Sequence, residues 1–517
     1  MNETIRVLPD DEHNRALASN AHPQGWINPN PAAKYHLVVV GGGTAGLVTA
    51  AGAAGLGAKV ALVEKHLLGG DCLNVGCVPS KALIRASRAA ADVRGAAEFG
   101  ISVPLGWTAD FPGIMERLRR LRAQLSSNDS AKRFKDLGVD IFLGEGRFVG
   151  PSSLEVAGSR LNFSKAVIAT GARAARLPIP GLWESGALTN ETVFSLTELP
   201  KRLVVIGAGP IGCELSQAFA RFGARVSILE ASGQILGRED EDAARIVQAA
   251  LKKDGVEIMT SCKISGVEAR GGEKIVRLES EGRNMELTAD AILVGVGRAP
   301  NVEGLELEAA GVEYDKRTGV KVDDRLRTAN SRIFAAGDVC SPYKFTHAAD
   351  AMARVAIQNA LFAGRKKASS LVIPWCTYTD PEVAHVGLYE KEAHALGIKT
   401  NTFIQALKDV DRAVLDGQGE GFVKIHLRTG TDEILGATIV AAHAGEMIGE
   451  LALAMTAKIG LKTIGATIHP YPTQAEAVKK TADAYNRSRL TPAAKRLLAF
   501  WLGRPYRTPE APSTGPH

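Results

Sequence analysis

The sequence predicts an α/β protein with two Rossmann-like dinucleotide-binding domains followed by a smaller α+β module. Three observations carry this assignment. An apolar strand running into a glycine-rich loop occurs twice, at Gly41 and again at Gly207. Each copy is followed, at the same distance, by a second strand that ends in an acid. From about Val372 the pattern changes to alternating period-2 runs.

The first copy is His36-Leu-Val-Val-Val-Gly41-Gly-Gly43-Thr-Ala-Gly46, and eighteen residues past Gly46 the run Val60-Ala-Leu-Val ends in Glu64. The second is Leu203-Val-Val-Ile-Gly207-Ala-Gly209-Pro-Ile-Gly212, and eighteen residues past Gly212 the run Val226-Ser-Ile-Leu ends in Glu230. In such a loop the first glycine permits the tight turn and the second lets backbone approach a pyrophosphate. The third lets the helix pack on the strand. The helix N-terminus turns free N–H groups and its positive dipole end toward the phosphates, and the acid accepts hydrogen bonds from ribose hydroxyls. One such loop is weak evidence; strand, glycines, helix and acid repeated at matched spacing is strong. Two dinucleotide sites in one chain suggest an electron donor and an electron acceptor.

Further segments fill the frame. Lys165-Ala-Val-Ile-Ala-Thr170-Gly171 reads as a buried strand closing the first domain, and Ala291 through Gly297, Arg298 and Asn301 as its counterpart in the second. Arg332-Ile-Phe-Ala-Ala-Gly337-Asp338 is another buried strand, and 348–363 reads as a helix. Gly421 to Leu427 and Ile434 to Val440 alternate as strands of the last module, with helices near 445–458 and 473–485. The expected boundaries are 1–34 extension, 35–180 first domain with the cysteine loop, 181–301 second domain, 302–368 return to the first, 369–487 last module, and 488–517 tail.

Composition excludes several classes. The 517 residues are 45% apolar and 23% charged, as in a soluble globular protein. No apolar run reaches the roughly 18 residues that span a bilayer. The polar start, with Asp10, Asp11 and Glu12, lacks a basic-then-apolar export signal, and a cytoplasmic location is expected. The net charge of +6 is mild, and Lys and Arg are scattered rather than striped, so nucleic acid is not an expected partner. Six cysteines are too few for a disulfide scaffold.

Two of them are close together: Gly69-Gly-Asp-Cys72-Leu-Asn-Val-Gly-Cys77-Val-Pro-Ser-Lys81. A pair separated by four residues, just after a dinucleotide loop, points to a redox-active disulfide held against a bound cofactor. A structural disulfide and part of a zinc site are the alternatives, but no second close Cys or Cys/His pair supports zinc. No permanent metal site is expected. Cys213, Cys262, Cys340 and Cys376 read as structural.

Together these residues resemble the FAD-dependent pyridine nucleotide–disulfide oxidoreductases, the group that includes dihydrolipoyl dehydrogenase, glutathione reductase and mercuric reductase. The resemblance spans roughly 35–487. It implies an FAD domain in two segments, an inserted NAD(P)H domain and a C-terminal interface domain that makes a homodimer. Gly41, Gly43, Gly46 and Glu64 would then hold the FAD adenosine and pyrophosphate, with Thr170, Gly171 and Gly337 nearby and Asp338 on the ribityl chain. Gly207, Gly209, Gly212, Glu230 and Gly297 would serve the nicotinamide dinucleotide. Cys77 would be the flavin-proximal thiolate and Cys72 the interchange thiol. Lys81 would reach the flavin, paired with Glu214; an ordinary solvated ion pair is the alternative. Independently of the family, a carboxylate at Glu230 suits a free ribose 2′-hydroxyl and repels a 2′-phosphate, and no arginine follows until Arg238. NADH is therefore expected over NADPH.

One departure bears on the substrate. Disulfide reductases of this family carry His-Pro-Thr-x-x-Glu, whose histidine, from the partner subunit, acts as acid and base for the interchange thiol. Here the segment is His469-Pro-Tyr471-Pro-Thr473-Gln-Ala-Glu476. Tyr471 replaces the base and Glu476 is kept. A phenol with pKa about 10 is a poor proton shuttle at neutral pH. Tyrosine here is similar to mercuric reductase, in which the two cysteines bind a soft metal ion as thiolates. The match is incomplete, because this chain ends without the vicinal cysteines and begins without the Cys-x-x-Cys domain that such enzymes carry. The leading expectation is electron flow from NAD(P)H through FAD and Cys72–Cys77 to a soft metal ion such as Hg(II). A dihydrolipoyl dehydrogenase-like or other disulfide reductase with an altered proton shuttle is the second reading, and a slow flavin redox sensor the third. Finally, 490–502 reads as a short amphipathic helix for a membrane surface or for the protein's own dimer.

Overall fold

The computed structural model describes residues 5–503, which divide into two compact units, one formed by residues up to 371 with 378–380 and the other by 372–377 with residues from 381 onward.

In the first unit, one parallel sheet runs in the order Val139–Leu143, Val60–Glu64, Tyr35–Val40, Ser159–Ile168, with Ile333–Ala335 beside the last. Ser159–Ile168 serves two sheets: its first residues pair antiparallel with Ser153–Val156, and Phe163–Ile168 run parallel to Tyr35–Val40. The return of Ile333–Ala335 shows that this domain is built from two distant segments of chain. Its central strands are buried on both faces, which is why they are continuous runs of Val, Leu and Ile. Helix Thr44–Gly55 packs against helix Thr346–Leu361 so closely that a Cβ on Gly52 would lie 2.8 Å from Ile357 Cδ1.

The inserted sheet is Glu257–Met259, Arg225–Leu229, Arg202–Ile206 and Ala291–Val294, all parallel. Beside it lies an antiparallel meander, Lys263–Arg270, Glu273–Ser280 and Arg283–Ala289. Helix Pro210–Phe222 starts with proline, whose missing N–H costs nothing there, and stops at Gly223 in the left-handed region. It is buried from Gly212 to Phe222. Strands Ala172–Ala174 and Arg298–Pro300 pair antiparallel where the chain passes between the two sheets.

Residues 5–30, expected only as part of a polar extension, form a built element. Asp11 caps helix Glu12–Ala21, whose Leu17 and Ala21 are buried. Trp26 Nε1 then donates to Ile141 O, and Asn28 bonds Leu143 in both directions. The helix was not legible because its buried stripe is Asn14, Leu17 and Ala21, one large apolar residue among small and polar ones.

The second unit is a five-stranded antiparallel sheet in the order Trp375–Thr377, Glu382–Gly387, Ile434–Ala441, Phe422–Arg428, Thr400–Ala406. Helices Ala444–Thr456, Leu461–Ala466 and Glu476–Ser488 supply the rest of its core. The α/β class with a separate α+β module is thus the observed one. Among the described residues no helix is long and apolar enough to cross a membrane.

Candidate active site

The two glycine loops share one geometry. Gly41 and Gly207 adopt φ of +106° and +98°, where any side chain would be strained. A Cβ on Gly46 would lie 1.7 Å from Gly41 O, and one on Gly212 would lie 2.0 Å from Gly207 O, so each helix can sit on its loop only through glycine. Gly43 and Gly209 are the N-cap residues of their helices. Each acid bonds the middle residue of its loop: Glu64 accepts from Gly42 N at 2.5 Å, and Glu230 accepts from Ala208 N at 2.7 Å. Glu64 also accepts from His66 N, and Glu230 from Ser232 N and Oγ. Burial opposes the charge on Glu230, but these Ser232 and backbone donors hold its pKa below the usual carboxylate range.

The cysteine loop lies between two helices. Gly69 and Gly70 both have positive φ, and a Cβ on Gly70 would meet Gly43 Cα at 2.5 Å. The loop is thereby pressed against the first nucleotide loop. Cys72 is in helix Gly70–Asn74 and Cys77 begins helix Cys77–Gly95. Both are thiols, the reduced state of the pair, with Cys77 the more exposed. Cys77 Sγ lies 3.5 Å from Thr346 Oγ1, the first residue of helix Thr346–Leu361. The hydrogen bond from Cys72 pulls the Cys77 thiol down to about 6 against its burial, with Thr346 and the Lys81 charge assisting. The same bond pushes Cys72 far up. Cys77 is the thiolate of the pair at neutral pH, and Cys72 keeps its proton.

Lys81, one turn beyond Cys77, pairs with Glu214 at 2.9 Å. Glu214 is buried, and its other oxygen accepts from Tyr378 N at 2.8 Å. Lys81 Nζ also lies 4.4 Å from the centre of the Tyr378 ring. Tyr378 thus holds both partners, through its N–H and its ring, unlike a solvated surface pair. Thr170 and Gly171 are stitched to the crossing strands: Thr170 Oγ1 donates to Asn301 O, Asn301 Nδ2 to Thr170 O, and Asn301 N to Gly171 O. Gly297, at φ +105°, precedes Arg298, and Gly337, at φ +80°, precedes Asp338.

Several residues at this site carried no sequence signal of their own. Arg298 pairs with Asp71, next to Cys72, and lies 3.6 Å from Asp338. Asn190 Nδ2 donates to the other Asp71 oxygen. Burial raises the Asp338 pKa, opposed by Arg298 and Lys344. Arg122 donates to Asn74 O in the cysteine loop and to Asn14 Oδ1, both at 2.6 Å. Leu68 N donates to Ala21 O. The N-terminal helix therefore supports the loop before and after Cys72. Arg298 and Asp71 stood inside quoted motifs and could have been singled out as charges beside reacting groups. Asn14, Arg122, Thr346 and Asn190 had no local pattern to find them by.

In the second unit Tyr471 is 68% exposed and donates to Asp411 Oδ2 at 2.7 Å. That bond, with the Asp411 charge, raises its pKa. Glu476, at the start of helix Glu476–Ser488, does not hold Tyr471; its nearest cation is Lys480 at 3.9 Å. The shielded His469 side chain lies between Glu450 Oε1, at 3.0 Å from Nε2, and Thr467 O, at 3.1 Å from Nδ1.

The sequence matches the pyridine nucleotide-disulphide oxidoreductase family over 35–353 and the dimerisation domain of the same family over 373–482. The chain belongs to this family. Curated relatives carry two activities. A mercuric reductase from Bacillus cereus is 34% identical over 86% of this chain and 70% of its own length. A dihydrolipoyl dehydrogenase from Geobacillus stearothermophilus is 37% identical over 87% of this chain and 96% of its own. Among solved structures, the Cu(II) complex of the HOCl-induced flavoprotein disulfide reductase RclA from Escherichia coli superimposes with a TM-score of 0.77 at 28% identity. It is covered over 98% of its length by 86% of this chain. LpdA from Mycobacterium tuberculosis gives 0.79 at 26%, over 88% of this chain and 100% of its own.

As a member of this family the protein is an FAD flavoprotein oxidoreductase with a disulfide redox centre, and its dimerisation domain makes it a homodimer. The residues present fit the flavin nucleotide: a loop that only glycine can close, a helix N-cap open to a pyrophosphate, and Glu64 beside it. Asn74 Oδ1, buried in the cysteine loop, has no hydrogen-bond partner within the chain.

Proposed function

We propose that the protein passes two electrons from NADH to a thiolate-bound soft metal ion such as Hg(II), which leaves as the metal. The balanced reaction is NADH + Hg(II) → NAD⁺ + Hg(0) + H⁺. Bound FAD supplies the two-electron relay between the nicotinamide and the sulfur pair. Cys77 supplies a thiolate at neutral pH, kept so by the hydrogen bond from Cys72 with Thr346 and Lys81 assisting, and Glu214 holds Lys81 in place. Cys72 is assigned as the interchange thiol, which meets the acceptor and gives up its proton when it ligates the metal. Gly41, Gly43, Gly46, Glu64 and Asp338 are assigned to the flavin nucleotide, and Gly207, Gly209, Gly212 and Glu230 to the nicotinamide nucleotide.

Tyr471 carries the metal reading. It stands where disulfide reductases of the family have their acid–base histidine, and Asp411 keeps its phenol protonated. A phenol so held neither takes nor returns a proton at neutral pH. Reducing an organic disulfide needs that proton for the leaving thiolate; reducing a thiolate-bound metal does not. RclA, 28% identical to this chain, is also a disulfide reductase that forms a metal complex, with Cu(II). For the nicotinamide, Glu230 is held ionised, and the first arginine after it, Arg238, lies over the Tyr343 ring. Both features favour a free 2′-hydroxyl over a 2′-phosphate. We place the reaction in the cytoplasm.

The second reading is an organic disulfide or dihydrolipoamide oxidoreductase. The pairing of His469 with Glu450 favours it, since an imidazole with an orienting carboxylate remains two residues from Tyr471. Anaerobic oxidation of NADH and NADPH by the purified holoenzyme separates the two, with Hg(II), lipoamide, glutathione disulfide and a soluble quinone as acceptors side by side. The metal reading expects Hg(II)-dependent NADH oxidation well above the rate with either disulfide. Lipoamide turnover at ordinary rates without Hg(II) reduction overturns it.

A further inference from the structure

The C-terminal helix has no role in the chemistry above. It runs from Pro492 to Trp501, capped by Thr491, whose hydroxyl accepts from Ala494 N. None of its residues is buried. Phe500 is 85% exposed, Trp501 84% and Leu497 66%, with Leu498 and Leu502 also open. This is the densest run of large exposed apolar side chains among the described residues, and such a patch marks an interaction surface.

Its pattern identifies the partner. At about 100° per residue, Leu497, Leu498 and Trp501 make one stripe, with Phe500 and Leu502 at its two edges. Lys495 lies beyond one edge and Arg496 beyond the other. From Ala484 to Pro509 the sequence contains six Lys and Arg residues and no acid. A protein partner would be recognised by shaped pockets and mixed charge. A broad apolar face ending in Phe-Trp and flanked by cations on both sides matches the boundary between acyl chains and anionic headgroups. The matched dimerisation domain ends at 482, before the helix begins at Pro492. RclA and LpdA are covered almost to their full lengths by less than nine-tenths of this chain.

We propose that helix Pro492–Trp501 lies on the surface of an anionic phospholipid bilayer. Its Leu, Phe and Trp side chains enter the acyl boundary while Lys495, Arg496, Arg487 and Arg489 sit against the headgroups. The homodimer carries two such helices, so weak single contacts combine into stable association. The inference is independent of which acceptor the cysteine pair reduces.

The test is flotation of the full-length holoenzyme with vesicles rich in phosphatidylglycerol and, separately, with pure phosphatidylcholine. The holoenzyme should float with the anionic vesicles, bind neutral ones about tenfold or more weakly, and be released by high salt. Phe500→Ser combined with Trp501→Ser should abolish flotation, and Lys495→Glu with Arg496→Glu should weaken it about tenfold or more. All variants should keep the dimer by sedimentation and the wild-type rate of NADH oxidation with a soluble acceptor. Equal behaviour toward both vesicle types, or flotation unchanged in the Phe500/Trp501 variant, overturns the proposal. So does a Phe500/Trp501 variant that falls apart into monomers, which would show a second copy of the chain to be the occupant of this face.

Discussion

Cys77 and Tyr471 occupy the two ends of the proposed electron path and are held very differently. Cys77 starts a helix and faces the first residue of another. It lies one turn from a lysine that is fixed by a buried glutamate, itself bonded to backbone. The loop before it is pinned by glycine contacts, by Arg122 and by the N-terminal helix. Tyr471 is exposed, and its hydroxyl donates to Asp411. The cysteine end is over-determined because its pKa values and sulfur geometry set the chemistry, and small displacements there are costly. The tyrosine end can exchange one side chain for another without disturbing a core.

The largest expected effect tests the cysteine end directly. Cys72→Ser should lower turnover with the true acceptor by about 10³-fold or more, the scale of losing a reacting group. Stopped-flow reduction of the flavin by NADH should stay near wild type; undiminished acceptor turnover would show that electrons leave without the pair. Next, Arg122→Ala removes the buried donor to Asn74 O and Asn14. It should cost about 2–4 kcal/mol of stability, read as a lowered melting temperature, and a variant as stable as wild type would mean that the loop is not braced from this side. Third, Tyr471→His should raise lipoamide or glutathione disulfide turnover by about 10²-fold, the usual contribution of a placed general acid–base. It should keep the dimer, as read by sedimentation. No gain in disulfide turnover would remove the argument that this position selects the acceptor.

The smallest effect is a titration. With Cys77 at about 6, its thiolate forms as pH rises through that value and is protonated again as pH falls below it. Alkylation of the reduced enzyme should climb between roughly pH 5 and 7 and then level off. Lys81→Met should move the midpoint upward, whereas Tyr471→Phe should leave it in place. A midpoint near 8.5, the ordinary thiol range, would place Cys77 among unactivated cysteines.

By itself the sequence determined the two nucleotide-binding folds and the cysteine pair that follows the first of them, and it singled out Tyr471 as the position proposed to select the acceptor. Those features are local: a loop that must turn within hydrogen-bond reach of its own strand leaves room only for glycine, and the acid that serves it follows at a distance set by one helix and one strand. The Lys81–Glu214 pair, 133 positions apart, was expected only through the family resemblance. Only the tertiary structure brought Arg298 to Asp71, Thr346 to Cys77, Arg122 to Asn74 and Asp411 to Tyr471. These contacts join residues 48 to 269 positions apart. No backbone rule links such positions. The pairs arise when packed elements place a buried charge or a donor next to a group that needs one. The polar N-terminal stretch became a helix because Leu17 and Ala21 found a core to enter. The C-terminal helix, far more apolar in sequence, kept its aromatic face open because no part of the described chain covers it.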